Sequence, residues 1–328
     1  MKNYVQCFDS FKFNSLKITD RKHAMARIPR PVALLALAAT LPLAGCAAAG
    51  ETEDSDTTTV YATTGYLADA VANIAPDVDV TAMVGPGGDP HTHQPSTQDV
   101  QRLRSADLVF WNGLGLEAQM EDQLESLGDA QLAVGDALPA ELLLPWEDGM
   151  HDPHVWNSPE AWRLVIDAIA DRLAAHDPDH AETYRANAED YRAQIDETAA
   201  AAADALAAIP EPRILITGHD AFNYFGDTYD LEVRATDFIS TQAALSPTEM
   251  SELADYIVDN EVSVIFQDNQ ANPQAITALQ EAVESRGWSV TVSTEELFAD
   301  TLGPTPPLDT YLGVLEHNAG VVAAELGA

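Results

Sequence analysis

From residue 179 to residue 208 the chain runs for thirty residues without a proline or a glycine. Tyr184, Ala188, Tyr191 and Ile195 recur there at the spacing of one helix face. Thirty helical residues span roughly 45 Å. Such a helix, lying mid-chain between two stretches of alternating strand and helix, reads as a rigid strut and not as a flexible hinge. Its tyrosines are expected to pack on what lies to either side.

The flanking stretches set the fold class. In the first, β-branched residues 57–64 precede Gly65 and predict a strand. A helix over 66–74, a strand over 78–84, a helix over 97–105, a strand over 107–111, a helix over 117–127 and a short strand over 131–134 follow. Ser158 is a natural N-cap with Pro159 at the first helical position. Pro210 and Pro212 end the strut. Strands are then predicted over 213–217, 231–236, 262–266 and 288–293, with helices between them that include 247–259 and 273–285, and a helix over 308–326 closes the chain. This alternation predicts an α/β protein of two lobes, each with a central, mostly parallel sheet flanked by helices, joined by the long helix. The expected boundaries are 60–178, 179–208 and 209–328.

One tripeptide occurs twice, as Asp89-Pro90-His91 at the end of the loop Val84-Gly85-Pro86-Gly87-Gly88, and as Asp152-Pro153-His154. In each copy proline fixes the backbone just before an imidazole, so the ring is presented from a stiffened loop. His219, in Thr217-Gly218-His219-Asp220, and Asp300, in Phe298-Ala299-Asp300-Thr301, complete a candidate ligand set beyond predicted strand ends. Three nitrogens and a carboxylate suit a borderline divalent cation such as Zn2+, and the hard oxygen also admits Mn2+. Asp268, Glu295 and Glu296 compete with Asp300, and spacing does not decide among them. His93 and His151 lie beside the favoured ligands and are ranked as supporting or gating groups. His176 and His180 read as solvated, and His317 as a packing or capping residue on the last helix.

The start of the chain has another character. Arg27 and Arg30 precede an apolar run over 32–43, and Leu43-Ala44-Gly45-Cys46 follows at once. A basic segment, a short apolar stretch and small residues before a cut describe a secretory signal that is too short to span a bilayer. Met25 would start it more naturally than Met1. Residues 1–45 are therefore expected to be removed, with Cys46 carrying lipid and the acidic residues 46–59 forming a flexible tether. Cys7 is the only other cysteine and precedes the cut, so the mature chain could form no internal disulfide.

Composition excludes one class of partner. The whole chain carries a formal charge of −37, and after Cys46 nine arginines and no lysine face 51 acidic residues. No basic stripe remains to neutralise phosphates, so nucleic acid is not a partner. The acidity reads as solubility in a salty or acid-shifted habitat. The segment Gly85-Pro86-Gly87-Gly88 lacks the lysine and hydroxyl of a phosphate-binding loop.

Taken together, Gly88-Asp89-Pro90-His91-Thr92-His93-Gln94-Pro95, Asp152-Pro153-His154-Val155-Trp156-Asn157-Ser158-Pro159, Thr217-Gly218-His219-Asp220-Ala221-Phe222-Asn223-Tyr224-Phe225, Ala299-Asp300-Thr301-Leu302-Gly303, and Tyr311 with His317-Asn318 carry a resemblance. Over nearly all of its length after Cys46 the chain resembles the metal-receptor lipoprotein family, the zinc and manganese solute-binding proteins of ABC importers. The resemblance implies metal ligands at His91, His154, His219 and Asp300. It implies a monomer, lipid-anchored to the outer face of a bacterial cytoplasmic membrane, that delivers metal to a permease driven by a cytoplasmic ATPase. Histidine at the third ligand position leans to zinc and a carboxylate there to manganese, so His219 favours zinc. The chain departs from many zinc receptors in lacking a long histidine-rich loop before the second ligand, where it offers only His151.

Ligands from both lobes would let metal bridge them and favour a closed form, the strut limiting closure to small shifts. Protonation of the histidines below about pH 6 should weaken capture. The expectation is binding without catalysis. A zinc hydrolase needs three protein ligands, an open water position and a nearby base, and no His-Glu-x-x-His helix is present. The other rivals are an adhesin or chaperone-like lipoprotein with structural metal, which reversible chelation without unfolding would separate, and a binding protein for an organic solute, for which aromatic residues near the cleft are too few.

Overall fold

The structure is a computed structural model that describes residues 57–146, 149–241 and 245–327. The predicted signal segment, Cys46 and the tether up to residue 56 lie outside the described residues. Among those described, the first half builds one sheet from β1 (Thr59–Ala62), β2 (Asp79–Ala82), β3 (Leu108–Trp111) and β4 (Gln131–Ala133). The order is β2-β1-β3-β4 and every pairing is parallel. All four residues of β3 are buried, as both faces of an inner parallel strand require.

Helix positions follow their caps. Thr64 accepts the Leu67 amide to open α1 (Gly65–Ile74), and a capping box between Ser96 and Asp99 opens α2 (Thr97–Ser105). The next helix, α3 (Glu121–Glu125), is shorter than the sequence predicts. Gly113, Leu114 and Gly115 adopt left-handed φ of 76°, 56° and 82°, and Glu117 turns inward to accept backbone amides, so helical geometry begins only beyond it. Ser158 accepts from the Ala161 amide to open α4 (Pro159–His176).

The long helix is α5 (Ala181–Leu206), 26 residues and about 39 Å. A 3-10 turn over Pro178–His180 leads into it. Tyr184, Ala188, Tyr191, Ile195, Ala202 and Leu206 are its buried stripe, which packs on α1, on α4 and on the last helix, α9 (Tyr311–Leu326). Tyr191 Oη donates to Asp69 of α1 at 2.5 Å. At its end, Arg213 Nη1 donates to the Leu206 and Ile209 carbonyls, and Nη2 and Nε to those of Tyr229 and Asp230. One arginine thus satisfies the open carbonyls of two helix ends.

The second half alternates β5 (Ile214–Thr217), α6 (Asn223–Tyr229), β6 (Glu232–Ala235), α7 (Pro247–Asp259), β7 (Val264–Ile265), α8 (Pro273–Glu284) and β8 (Thr291–Val292). β5 pairs with β6 and β7 with β8, both parallel, and the Phe266 amide joins the two pairs by donating to the Ile216 carbonyl at 2.7 Å. A cluster of Ile214, Ile216, Ile257, Ile265, Leu279 and Val283 fills the space between these strands and α7 and α8. A larger cluster runs from Phe110 of β3 through Trp162 of α4 and Ile195 of α5 to Phe225 of α6 and Val314 of α9. The long helix is therefore seated in a core that both halves share.

The loops that follow the carboxyl ends of β2, β5 and β7 meet: Gln270 Nε2 donates to the Gly88 carbonyl and the His219 amide to Asp268 Oδ2. Such ends are where open parallel sheets hold ligands. Gly218, just past β5, is required there: a Cβ would lie 2.2 Å from the Ala271 Cβ and 2.9 Å from Asp268 Oδ2.

Candidate metal centre

The repeated tripeptide is explained by its aspartate as much as by its proline. Asp89 Oδ1 accepts the His91 amide at 2.8 Å, and Asp152 Oδ1 accepts the His154 amide at 2.9 Å. Each aspartate closes a turn onto the histidine two residues on and so fixes where its Cα stands. His91 is reached through a loop tied at Gly88 N to Gly85 O. His154 begins a short 3-10 turn over Val155–Asn157 just before α4.

His219 is placed by a carboxylate behind it. Asp268 Oδ2 accepts the amides of Gly218 and His219 at 3.0 and 2.9 Å, and its Oδ1 accepts that of Gln270 at 3.0 Å. Burial pushes the Asp268 carboxyl up to about 6, and the His219 imidazole and these amides limit the rise. Asp268 thus organises backbone, and Glu295 and Glu296 are exposed. Asp300 alone of the four competing carboxylates points among the imidazoles.

His91, His154, His219 and Asp300 come together, all buried, with one donor atom from each lying within 4.8 Å of the others. Nε2 of His154 is 3.2 Å from Nε2 of both His91 and His219. Asp300 Oδ2 is 3.5 Å from His91 Nε2 and 3.3 Å from His219 Nε2, and its Oδ1 is 3.4 Å from His154 Nε2. Four donors at about 2.0 to 2.1 Å from a central zinc ion, set tetrahedrally, would stand roughly 3.3 Å apart. The five donor pairs given stand at 3.2 to 3.5 Å, a spacing that could hold one small cation.

The electrostatics agree. Neither oxygen of the fully buried Asp300 carboxylate has an ordinary hydrogen-bond partner. Burial would raise its pKa, yet the His219, His154 and His91 imidazoles hold it well below the usual carboxylate range. Burial also lowers His219, but the facing Asp300 outweighs that and lifts it to about 9. For His91 burial prevails and pushes it down to about 4.

Around the cage, His154 Nδ1 meets Asp152 Oδ1 at 2.6 Å, and Asn223 Nδ2 donates to Asp152 Oδ2 at 3.1 Å. Asp152 stands two residues before a histidine, as Asp89 does, and that spacing is the sequence cue to its role. No such cue marks Asn112, whose Nδ2 donates to the Pro153 carbonyl at 2.9 Å, or the buried Glu117 that receives the Asn112 and Gly113 amides at 2.8 and 3.1 Å and the Thr63 hydroxyl at 2.6 Å. His93 and His151 are not part of the four-residue cluster. His93 lies 3.8 Å from Asp99, and the His151 backbone bridges to Pro145. His180 pairs with Asp177 on the surface, and His317 reaches the Glu296 carbonyl at 2.8 Å.

Known proteins share this arrangement of sequence and fold. Residues 60–324 match the family model described as zinc-uptake complex component A, periplasmic. The manganese-binding lipoprotein MntA of Bacillus subtilis is 35% identical over 298 residues, 88% of this chain and 97% of that protein. The zinc-binding protein TroA of Treponema pallidum is 34% identical over 272 residues, 81% of this chain and 88% of its own length. The solved structure of the periplasmic zinc-binding TroA superposes with a TM-score of 0.80 at 33% identity, covering 83% of this chain and all of the other.

Proposed function

The chain belongs to the periplasmic zinc-uptake component A family, and from that premise we propose that it is the extracytoplasmic receptor of an ABC importer, capturing a divalent transition metal at His91, His154, His219 and Asp300. The observation that carries this reading is the cage itself: four buried donors from both halves, one atom of each within 4.8 Å of the others, with a buried carboxylate facing three imidazoles at 3.3 to 3.5 Å. A bound cation would compensate the buried carboxylate that the facing imidazoles otherwise stabilise.

Zinc is the first cargo. Three imidazoles suit it, and the donor spacing fits its short bonds. Manganese is the second reading, favoured by the Asp300 oxygen and by the 35% identity to a protein named for manganese. Four protein donors fill a tetrahedral site and leave no place for an activated water, so the chain binds and does not catalyse. Capture draws His91 and His154 of the first half and His219 and Asp300 of the second onto one ion. The shared core around α5 keeps the accompanying movement small. The closed form is what the permease receives. Cys46, lipidated, would hold the receptor at the membrane, and among the described residues no helix is long and apolar enough to cross one.

The test is metal analysis of the purified protein, then titration of zinc and manganese into wild type and His154→Ala. One tightly held ion per chain, lost in the variant while the fold persists, is the expected result. Tighter manganese than zinc would keep the receptor and change the cargo. Absence of a tight site for either ion would sink the proposal.

A further inference from the structure

Asp300 owes its position to backbone held from two directions. In the second half, Asn269 Oδ1 accepts the Ala299 amide at 2.8 Å, and Asn269 Nδ2 donates to the carbonyl and the hydroxyl of Thr301, both at 2.9 Å. These bonds flank Asp300 on either side. The Ala299 carbonyl is held from the first half. Tyr66 Oη donates to it at 3.1 Å and Trp156 Nε1 at 2.9 Å.

The two donors form one unit. The Tyr66 and Trp156 rings stack 5.1 Å apart at 18°, both fully buried, and Trp156 meets the His154 ring edge to face at 5.3 Å. Trp156 therefore touches one corner of the cage and, through the Ala299 carbonyl, holds the backbone of another. Apart from the three imidazoles, 3.3 to 3.5 Å away, no side chain among the described residues holds the Asp300 carboxylate. Its aim depends on the peptide that carries it.

We propose that Tyr66 and Trp156 are positioning residues that hold the Asp300 carboxylate in the cage and thereby set the preference between manganese and zinc. This rests on the reading of the four residues as ligands. The selectivity follows from ligand chemistry. Asp300 supplies the only hard oxygen donors of the set; manganese depends on such donors, whereas zinc is well served by three imidazoles. Loosening the carboxylate weakens manganese more than zinc. Damage to the fold in general would weaken both alike.

The experiment compares wild type with Tyr66→Phe, Trp156→Phe and the double variant, measuring zinc and manganese affinity by competition titration at one pH. Melting of the metal-free proteins controls for folding, and Asp300→Asn calibrates the largest shift available. Each lost donor should weaken manganese about fivefold and zinc no more than about twofold. The double variant should move the manganese-to-zinc affinity ratio further in the direction taken by Asp300→Asn. Equal losses for both ions, or no loss, in variants that melt with the wild type would overturn the proposal and leave the receptor reading standing. Failure of the wild type to bind either ion would overturn both. Should Trp156→Phe not fold, Tyr66→Phe removes one hydroxyl only and decides the matter alone by the same ratio.

Discussion

His154 Nδ1 lies 2.6 Å from Oδ1 of Asp152, and both side chains are buried. The contact commits the imidazole proton to Nδ1 and turns the Nε2 lone pair toward the cage. Replacing Asp152 by Asn keeps the shape but removes the charge that orients the ring. Asp152→Asn should lower zinc affinity by about 10- to 100-fold. Competition against a chelator measures this, and an affinity within twofold of wild type would remove Asp152 from the account.

The loop that carries His91 is fastened to the opposite half. Thr241 Oγ1 donates to Asp89 Oδ2 at 2.8 Å, Gln270 Nε2 to the Gly88 carbonyl at 2.5 Å, and the Gly87 amide to Thr301 Oγ1 at 3.3 Å. Because Asp89 also holds the His91 amide, slack in these bonds reaches the ligand directly. Thr241→Val and Gln270→Ala should each speed metal release about fivefold, with capture little changed. Stopped-flow mixing of the loaded protein with excess chelator reads the rate.

Glu117 predicts how stability depends on pH. Burial pushes its carboxyl from 4.5 up to about 7, even though the hydrogen bonds it accepts partly oppose the rise. The folded state therefore holds this proton more tightly than the unfolded chain. Its contribution is fully present below about pH 4.5 and is lost as pH rises through 7, on the order of 3 kcal/mol in all. Glutamine mimics the protonated form, so Glu117→Gln should flatten that part of the profile. Denaturant melts of the metal-free protein at pH 5 and pH 8, variant against wild type, measure the difference.

Ile195 sits fully buried on α5, in the cluster that reaches both halves. Ile195→Ala should cost about 2 to 5 kcal/mol. Because the core is shared, the variant should still unfold in one transition followed by fluorescence and circular dichroism alike. Two separated transitions would show that the halves are held independently.

What was legible in the sequence was local. α2 and α7 keep the predicted bounds 97–105 and 247–259, and the structure shows why: Ser96 with Asp99 and Ser246 with Glu249 form capping boxes that close within a single turn. The α/β class and the long helix follow from periodicity and from the lack of breakers. Where partners are distant, the reading gave out. Glu117 looks like any helical glutamate until Thr63, 54 residues away, is seen donating to it. β8 covers only Thr291–Val292 where six residues looked extended, and Trp288 instead donates its indole N–H to the Val262 carbonyl. Among the acids, Asp268 and Asp300 differ in what surrounds them, amides in one case and imidazoles in the other. Nothing in either residue's own neighbourhood of sequence records that.

The residues of the cage stand on loops, while the core beneath is continuous from one half to the other. If the cage holds the cargo as proposed, mutation could rewrite the cargo without rewriting the architecture. On the proposed reading, a substitution at residue 219 or 300 would alter the appetite for an ion, while Trp162, Ile195 and Phe225 belong to the core cluster, of which neither residue is a member. Lineages descended from such a scaffold can diverge in diet while conserving shape, and relatives of similar identity bear the names of different metals.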